Sequence, residues 1–213
     1  MLLIYFSGKN ISVRKKQVPA RRGRPPTKAA ESHSVIMDAV YRLLLKKSVR
    51  DLTMEEIAKE AKVGKPTLYK WWPTKAALVL ALYHERIKVA PEDIPGGTAE
   101  QALRGRVQRL IVVLNGLFGK VLAQLIGEAQ SEPEVLRELY ERSISLRRKA
   151  TIADLERGKE SGELAPDTDT ELVVEAIFGA IYYRLLLRSG PLTQQYGEAL
   201  VEQVIRGHRS GTR

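Results

Sequence analysis

The chain has 213 residues, no cysteine and a net charge of +10. Without thiols there is no disulfide framework and no thiolate metal site, which suits a reducing cytoplasm, and no apolar run reaches the length of a membrane span. The charge is uneven: residues 1–90 hold 19 Lys and Arg against 7 Asp and Glu, while residues 91–213 hold 16 against 18. A basic first part joined to a near-neutral remainder points either to a polyanion-binding segment or to a solubilising tail.

Met1–Phe6 is apolar but short, with no leading positive charge and no small-residue cleavage site after it. It reads as an N-terminal extension rather than a signal peptide, and the sequence leaves open whether residues 1–13 belong to the natural start. The polar, basic, Pro- and Gly-containing stretch that follows cannot build a core, so residues 1–30 are expected to form a disordered basic arm. From Glu31, Ile36, Val40, Leu43 and Leu44 recur at helical spacing, predicting a first helix that ends near Lys47. Thr53 followed by Glu56 makes a capping box, and Ile57, Ala58 and Ala61 continue that helix. Gly64 interrupts it, a short helix runs from about Lys65 to Trp71, and Pro73 stops it. Thr74 caps a further helix with Leu78, Val79 and Leu82 on its inner side.

The stretch from Ala90 to Gly97 reads as a loop and a domain boundary, dividing residues 31–90 from 98–210. Helical stretches follow at roughly 98–117, 120–130, 133–160, 169–188 and 193–207. No convincing strand alternation is present. The expected fold is all-α: an N-terminal three-helix head and a C-terminal helical domain, roughly nine helices in all.

Residues 53–72 carry the main functional signal. Reading the major groove takes a short helix whose first residues reach base edges, braced by a second helix through a tight turn. Ala58 is small where the two helices cross. Ile57, Val63 and Leu68 are apolar and expected to lie beneath the pair, and Gly64 offers a permissive backbone at the junction. Pro66 is tolerated in a first helical turn. The outer face then presents Lys65, Thr67, Tyr69, Lys70 and Trp71, which can bond bases or phosphate oxygens. Lys75 opens the next helix, where backbone N–H groups favour a phosphate.

Leu52-Thr53, Glu56-Ile57-Ala58, Ala61-Lys62-Val63-Gly64, Pro66-Thr67-Leu68-Tyr69, Trp72-Pro73-Thr74-Lys75 and Leu78 together make residues 31–89 resemble the N-terminal domain of the TetR family of bacterial transcriptional regulators. Gly64 departs from the family's commoner serine, and Lys70-Trp71 from a commoner His-Tyr pair. The resemblance implies that Thr53 touches a phosphate, that Lys65, Pro66 and Thr67 face base edges, and that Tyr69, Trp71 and Lys75 grip the backbone. Leu68 and Trp72 are core, and Lys70 takes either role. Several TetR-like proteins carry an arm resembling Arg21-Arg22-Gly23-Arg24-Pro25-Pro26. Arg21, Arg22 and Arg24 on such an extended chain suit a narrow minor groove, the alternative being a flexible tail.

Residues 98–210 show no catalytic constellation. His33, His84 and His208 are scattered, there is no phosphate loop or nucleophile elbow, and neither enzyme activity nor a cofactor or metal is expected. The stretch from Ala176 to Leu187 is too apolar for a helix with one face in water, so it is central to a core or shared with a partner chain. By the resemblance, the last two long helices make a homodimer, for which Ile177, Ile181, Leu185, Leu200 and Val204 are candidates. The resemblance also implies a small-molecule effector; Phe118, Tyr140, Phe178 and Tyr182 are candidates for lining its pocket, or else plain core. The expected protein is a cytoplasmic transcriptional regulator, more repressor than activator, that holds a palindromic double-stranded operator as a dimer and is released by its effector. The alternatives are a ligand-independent, sequence-tolerant architectural DNA-binding protein, and an enzyme or helical interaction module in which the basic segment is incidental.

Overall fold

The computed structural model describes residues 28–87 and 97–209. Residues 1–27 of the basic arm, most of the expected 90–97 boundary loop and the last four residues lie outside them, while the arm's last three expected residues, Lys28 to Ala30, are instead the first turn of a helix. Among the described residues the fold is all-α, and a single antiparallel bridge joins Leu164 to Arg209.

Helix α1 spans Lys28–Leu44, three residues shorter at its C-terminal end than expected. Lys46 and Lys47 instead sit in the turn that follows. Helix α2 (Met54–Ala61) begins at a complete capping box, with Thr53 Oγ1 accepting from Glu56 N–H at 3.2 Å and Glu56 Oε2 accepting from Thr53 N–H at 3.2 Å. Lys62 ends it in the left-handed region at φ 54°. Gly64 is extended at φ −73°, so the permissive backbone expected there is not what the turn uses. The turn takes its left-handed residue two positions earlier and tolerates a lysine in it.

Helix α3 (Lys65–Trp71) packs on α2, and α4 (Lys75–Arg86) starts after three intervening residues, capped by Thr74. Ile36, Met37, Val40, Leu52, Ile57 and Leu68 are all buried and make the centre of the head. Helix α4 is shared: it packs on α1 of the head and on two helices of the body, α6 (Leu117–Ala129) and α7 (Pro133–Leu139).

The body is built around α5 (Ala99–Asn115), which turns through 81° into α6 at Gly116. The stretch expected as one helix over 133–160 is one rod with a π-helical turn (Tyr140–Ile144) between α7 and α8 (Ser145–Glu160). Helices α9 (Thr170–Leu187) and α10 (Gln194–Arg206) close the bundle, and counting that rod once gives nine rods among the described residues. Arg106 on α5 meets the buried Asp154 of α8 at 2.5 Å, so this carboxylate is paired rather than isolated. No single described helix is long and apolar enough to cross a membrane.

Candidate nucleic-acid interface

The recognition surface follows from how α3 is seated. Leu68 is fully buried and Trp72 nearly so, with the Trp72 ring 5.4 Å from that of His33 on α1. Those two anchors turn the opposite side of a seven-residue helix outward. Lys65, Pro66, Tyr69, Lys70 and Trp71 are exposed, and Thr67 is half-buried. The lysines, Tyr69 and Trp71 carry donors suited to phosphate and base edges on one short convex face.

Individual side chains refine that picture. Lys65 is ion-paired with Glu55, so a phosphate reaching it must displace a carboxylate on the exposed surface. Thr53 is exposed, and its Oγ1 is occupied in the cap. Glu56 accepts from Lys47 Nζ at 2.6 Å, which with the Thr53 bonds holds its carboxyl below the ordinary value. Lys75 differs from expectation most. Its Nζ donates to the Arg50 carbonyl at 2.9 Å and lies 3.8 Å from Glu128 of α6, so the side chain straps the head to the body. The position at the first turn of α4 still leaves its backbone amide beside the recognition helix.

Arg21, Arg22 and Arg24 lie outside the described residues. Of the four aromatic pocket candidates, Phe178 and Tyr182 line a groove of about 280 Å³ between α8 and α9, with Ile144, Arg147, Val174 and Gly179. Phe118 sits elsewhere, packed between Tyr41 and Tyr83 with centroids 6.3 Å from each, and Tyr140 is half exposed on the π turn. Both are assigned away from the groove: Phe118 to the joint between head and body, Tyr140 to the surface.

Among the dimer candidates, Ile177 and Ile181 are fully buried within the chain, and Leu185, Leu200 and Val204 are half-buried. A residue already spent on its own core has no surface left for a partner. The outward stripe of α9 is a different set, Leu172, Ala176, Gly179, Tyr183 and Leu187, all exposed. The sequence reading passed over this stripe because α9 is apolar on every side, so periodicity could not pick a face. It also set His84 aside as a scattered histidine and did not single out Arg147, two half-buried polar groups with buried nitrogens. The signal was the histidine inside the apolar run of α4.

Comparison with known proteins closes the question of family. Residues 36–82 match the family model described as bacterial regulatory proteins, tetR family, and residues 94–204 match the tetracyclin repressor-like C-terminal domain. The chain belongs to the TetR family. It is therefore a helix-turn-helix, DNA-binding transcriptional regulator, in a family of regulators rather than enzymes. It is 32% identical over 191 residues to the HTH-type regulator YdeS of Bacillus subtilis, covering 88% of this chain and 94% of that one. The TetR-family regulator SCO0332 superposes with a TM-score of 0.67 at 30% identity, covering 83% of this chain and 98% of that chain. The regulator FadR of Bacillus subtilis, solved with stearoyl-CoA, shares the fold with a TM-score of 0.65 at 21% identity, over 82% and 98% of the two chains.

Proposed function

We propose that this TetR-family regulator acts as a homodimer in the cytoplasm, holds a palindromic operator through α3 of each copy, and lets go when a small molecule occupies its body. The observation that carries the reading is the split face of α3: Leu68 and Trp72 anchor it while Lys65, Pro66, Tyr69, Lys70 and Trp71 stand outward. Two such faces related by a two-fold axis read an inverted repeat. Thr53 and the amide of Lys75 add phosphate contacts on either side, Thr67 faces the bases, and Arg21, Arg22 and Arg24 reach the adjacent minor groove. Residues 31–90 form the DNA-binding domain and residues 98–210 the ligand and dimer domain.

Release requires that a ligand favour one arrangement of the heads over another. Helix α4 supplies the link, since its first turn follows α3 directly and the same helix packs against α6 and α7. The regulator of this fold solved with stearoyl-CoA supports a small-molecule response, and repression is the direction proposed.

Selection from a random duplex pool tests the reading. Enrichment of one inverted repeat, lost on replacing Tyr69 and Lys70 with Ala, is the expected result. A pool retained without enrichment would instead mark a sequence-tolerant architectural protein.

A further inference from the structure

Four polar atoms on α4 and α8 are buried without a hydrogen-bond partner: the Tyr83 hydroxyl, both ring nitrogens of His84, and one terminal nitrogen of Arg147. The groups are neighbours. The rings of Tyr83 and His84 are 6.2 Å apart, and the electrostatics of His84 and of Tyr182 both respond to Arg147. Buried polar atoms are as a rule satisfied, so a cluster of orphans marks a place where a polar partner is called for.

The chemistry of the missing partner can be read from the orphans. A guanidinium nitrogen can only donate, and a phenol and a neutral imidazole each offer one O–H or N–H, so the three groups present donors suited to an acceptor, with the second imidazole nitrogen left as an acceptor. Charge narrows it further. Arg148 is paired with Glu171 and Glu175, and Arg142 with Glu138, but among the described residues Arg147 has no carboxylate partner. A half-buried guanidinium with one buried, unsatisfied nitrogen and no carboxylate beside it asks for an anion. Burial, with the positive charge of Arg142 and Arg147, lowers the pKa of His84, although Glu138 opposes this. His84 is thus kept neutral and able to donate one N–H until an anion arrives.

Arg147 belongs both to this cluster and to the groove, whose other walls are Ile144, Val174, Phe178, Gly179 and Tyr182 with the Arg148–Glu175 pair at its side. The sole acid on that groove, Glu175, is held by Arg148 at 2.9 Å. We infer that the body binds an amphiphile with one anionic head, received by Arg147, His84 and Tyr83, and an apolar tail laid along Phe178 and Tyr182. This rests on the reading of a small-molecule response and names the class of effector.

Calorimetry on the full-length protein without DNA tests it with decanoate, decanol and decylamine as probes. Decanoate is expected to bind at least ten-fold more tightly than the other two. Arg147→Met should weaken decanoate binding by about ten- to a hundred-fold, the weight of a charge-assisted hydrogen bond, and leave decanol unchanged. Arg147→Lys should restore part of the loss, and Phe178→Ala should weaken acid and alcohol alike. Equal binding of acid and alcohol, decanoate binding indifferent to Arg147→Met, or no binding of any probe at millimolar concentration overturns the proposal. Unchanged decanol binding shows that the variant is folded. Failure to hold an operator would count against the regulator reading alone, because no DNA enters the calorimeter.

Discussion

The side-chain carbonyl of Gln124, midway along α6, accepts the backbone N–H of Val49 at 2.8 Å. This bond crosses from body to head, 75 residues apart in sequence, and stands beside the Lys75–Glu128 strap. It satisfies a donor in the loop that leads into the helix-turn-helix, at a residue that is itself buried. Gln124→Leu should cost about 1–3 kcal/mol, because the Val49 N–H is left without an acceptor. Thermal unfolding should show a lowered midpoint. Hydrogen exchange should show faster exchange at Val49 and Leu52 than at the buried centre of α5; equal exchange at both places would mean the bond does not join the two parts.

Thr53 has two assignments that one pair of variants separates. As the cap of α2, its hydroxyl accepts from Glu56 N–H; as a phosphate contact, this exposed hydroxyl must turn to the phosphate the hydrogen it now donates to Glu56 Oε2 at 3.1 Å. Thr53→Ala should cost about 1 kcal/mol in stability, the usual weight of a lost N-cap. Thr53→Ser keeps the hydroxyl and should hold both stability and DNA affinity near the parent's. A Thr53→Ala protein that unfolds at a lower temperature yet binds its operator unchanged would leave the cap as its only role.

The helix-turn-helix was legible because its signals are local. Thr53 and Glu56 define a start, Pro66 and Pro73 bracket the short helix, and Leu68 and Trp72 have to go inward for a helix so short to be held at all. The remainder depends on tertiary partners that no local pattern names. Helix α9 is apolar on every side, so whether Ile177 or Tyr183 faces outward is settled by where α6, α8 and α10 lie. Phe118 and Phe178 are alike in sequence context, yet one meets Tyr41 and Tyr83 and the other lines the groove. The charge of Lys75 suggested DNA, and only the approach of Glu128 reveals the strap. The left-handed residue of the turn is Lys62 rather than the nearby Gly64, because the α2 carbonyls of Ala58 and Lys59 are satisfied from that position.

Gly119 holds the corner between α5 and α6. A β-carbon there would lie 1.8 Å from the carbonyl oxygen of Leu114 and 2.4 Å from its carbon, both fixed backbone atoms. Gly119→Ala cannot be absorbed by a rotamer change and must open the 81° bend, at a cost of about 3 kcal/mol or more. Gly127, on the same helix, has nothing within 4 Å of its would-be β-carbon. Gly127→Ala should therefore stabilise by up to about 1 kcal/mol. Denaturant midpoints of the two variants should move in opposite directions.

Two acid transitions should appear in separate pH windows. The folded pKa of His84 lies below its ordinary value of 6.5, chiefly through burial, with Arg142 and Arg147 adding to the effect and Glu138 opposing it. The unfolded chain takes up this proton first, so stability present above about pH 6.5 declines as the pH falls towards the folded pKa. Glu202 is held below 4.5 first by its hydrogen bond from Arg209, and Glu100 is held below it despite burial by Arg104 and Arg209. Their stabilising contribution is intact above pH 4.5 and lost as the pH falls through their lower folded values. His84→Gln should flatten the melting temperature between pH 7 and 5 by a few degrees and leave the steeper loss below pH 4.5 in place. A parent and variant with parallel curves across the upper window would show that His84 does not titrate there.

The outward stripe of α9 gives the final prediction, since the proposed dimer needs a face the chain leaves uncovered. Leu172, Tyr183 and Leu187 are each more than half exposed, at 60%, 58% and 64%, whereas Ile177 and Ile181 are at 0%. Ala176 and Gly179 lie between them on the same side, small enough for a second helix to approach closely. Tyr183→Arg with Leu187→Glu places two charges in that stripe without touching the core, and burying unpaired charge is far costlier than losing an apolar contact. Sedimentation should show a dimeric parent and a folded monomer for the double variant, with operator affinity lost because two half-sites are no longer engaged together. Ile181→Ala should act otherwise, lowering stability by about 2–5 kcal/mol through the cavity it leaves, with a dimer persisting wherever the chain is folded. If the double variant stays dimeric, the two-fold axis does not run along α9.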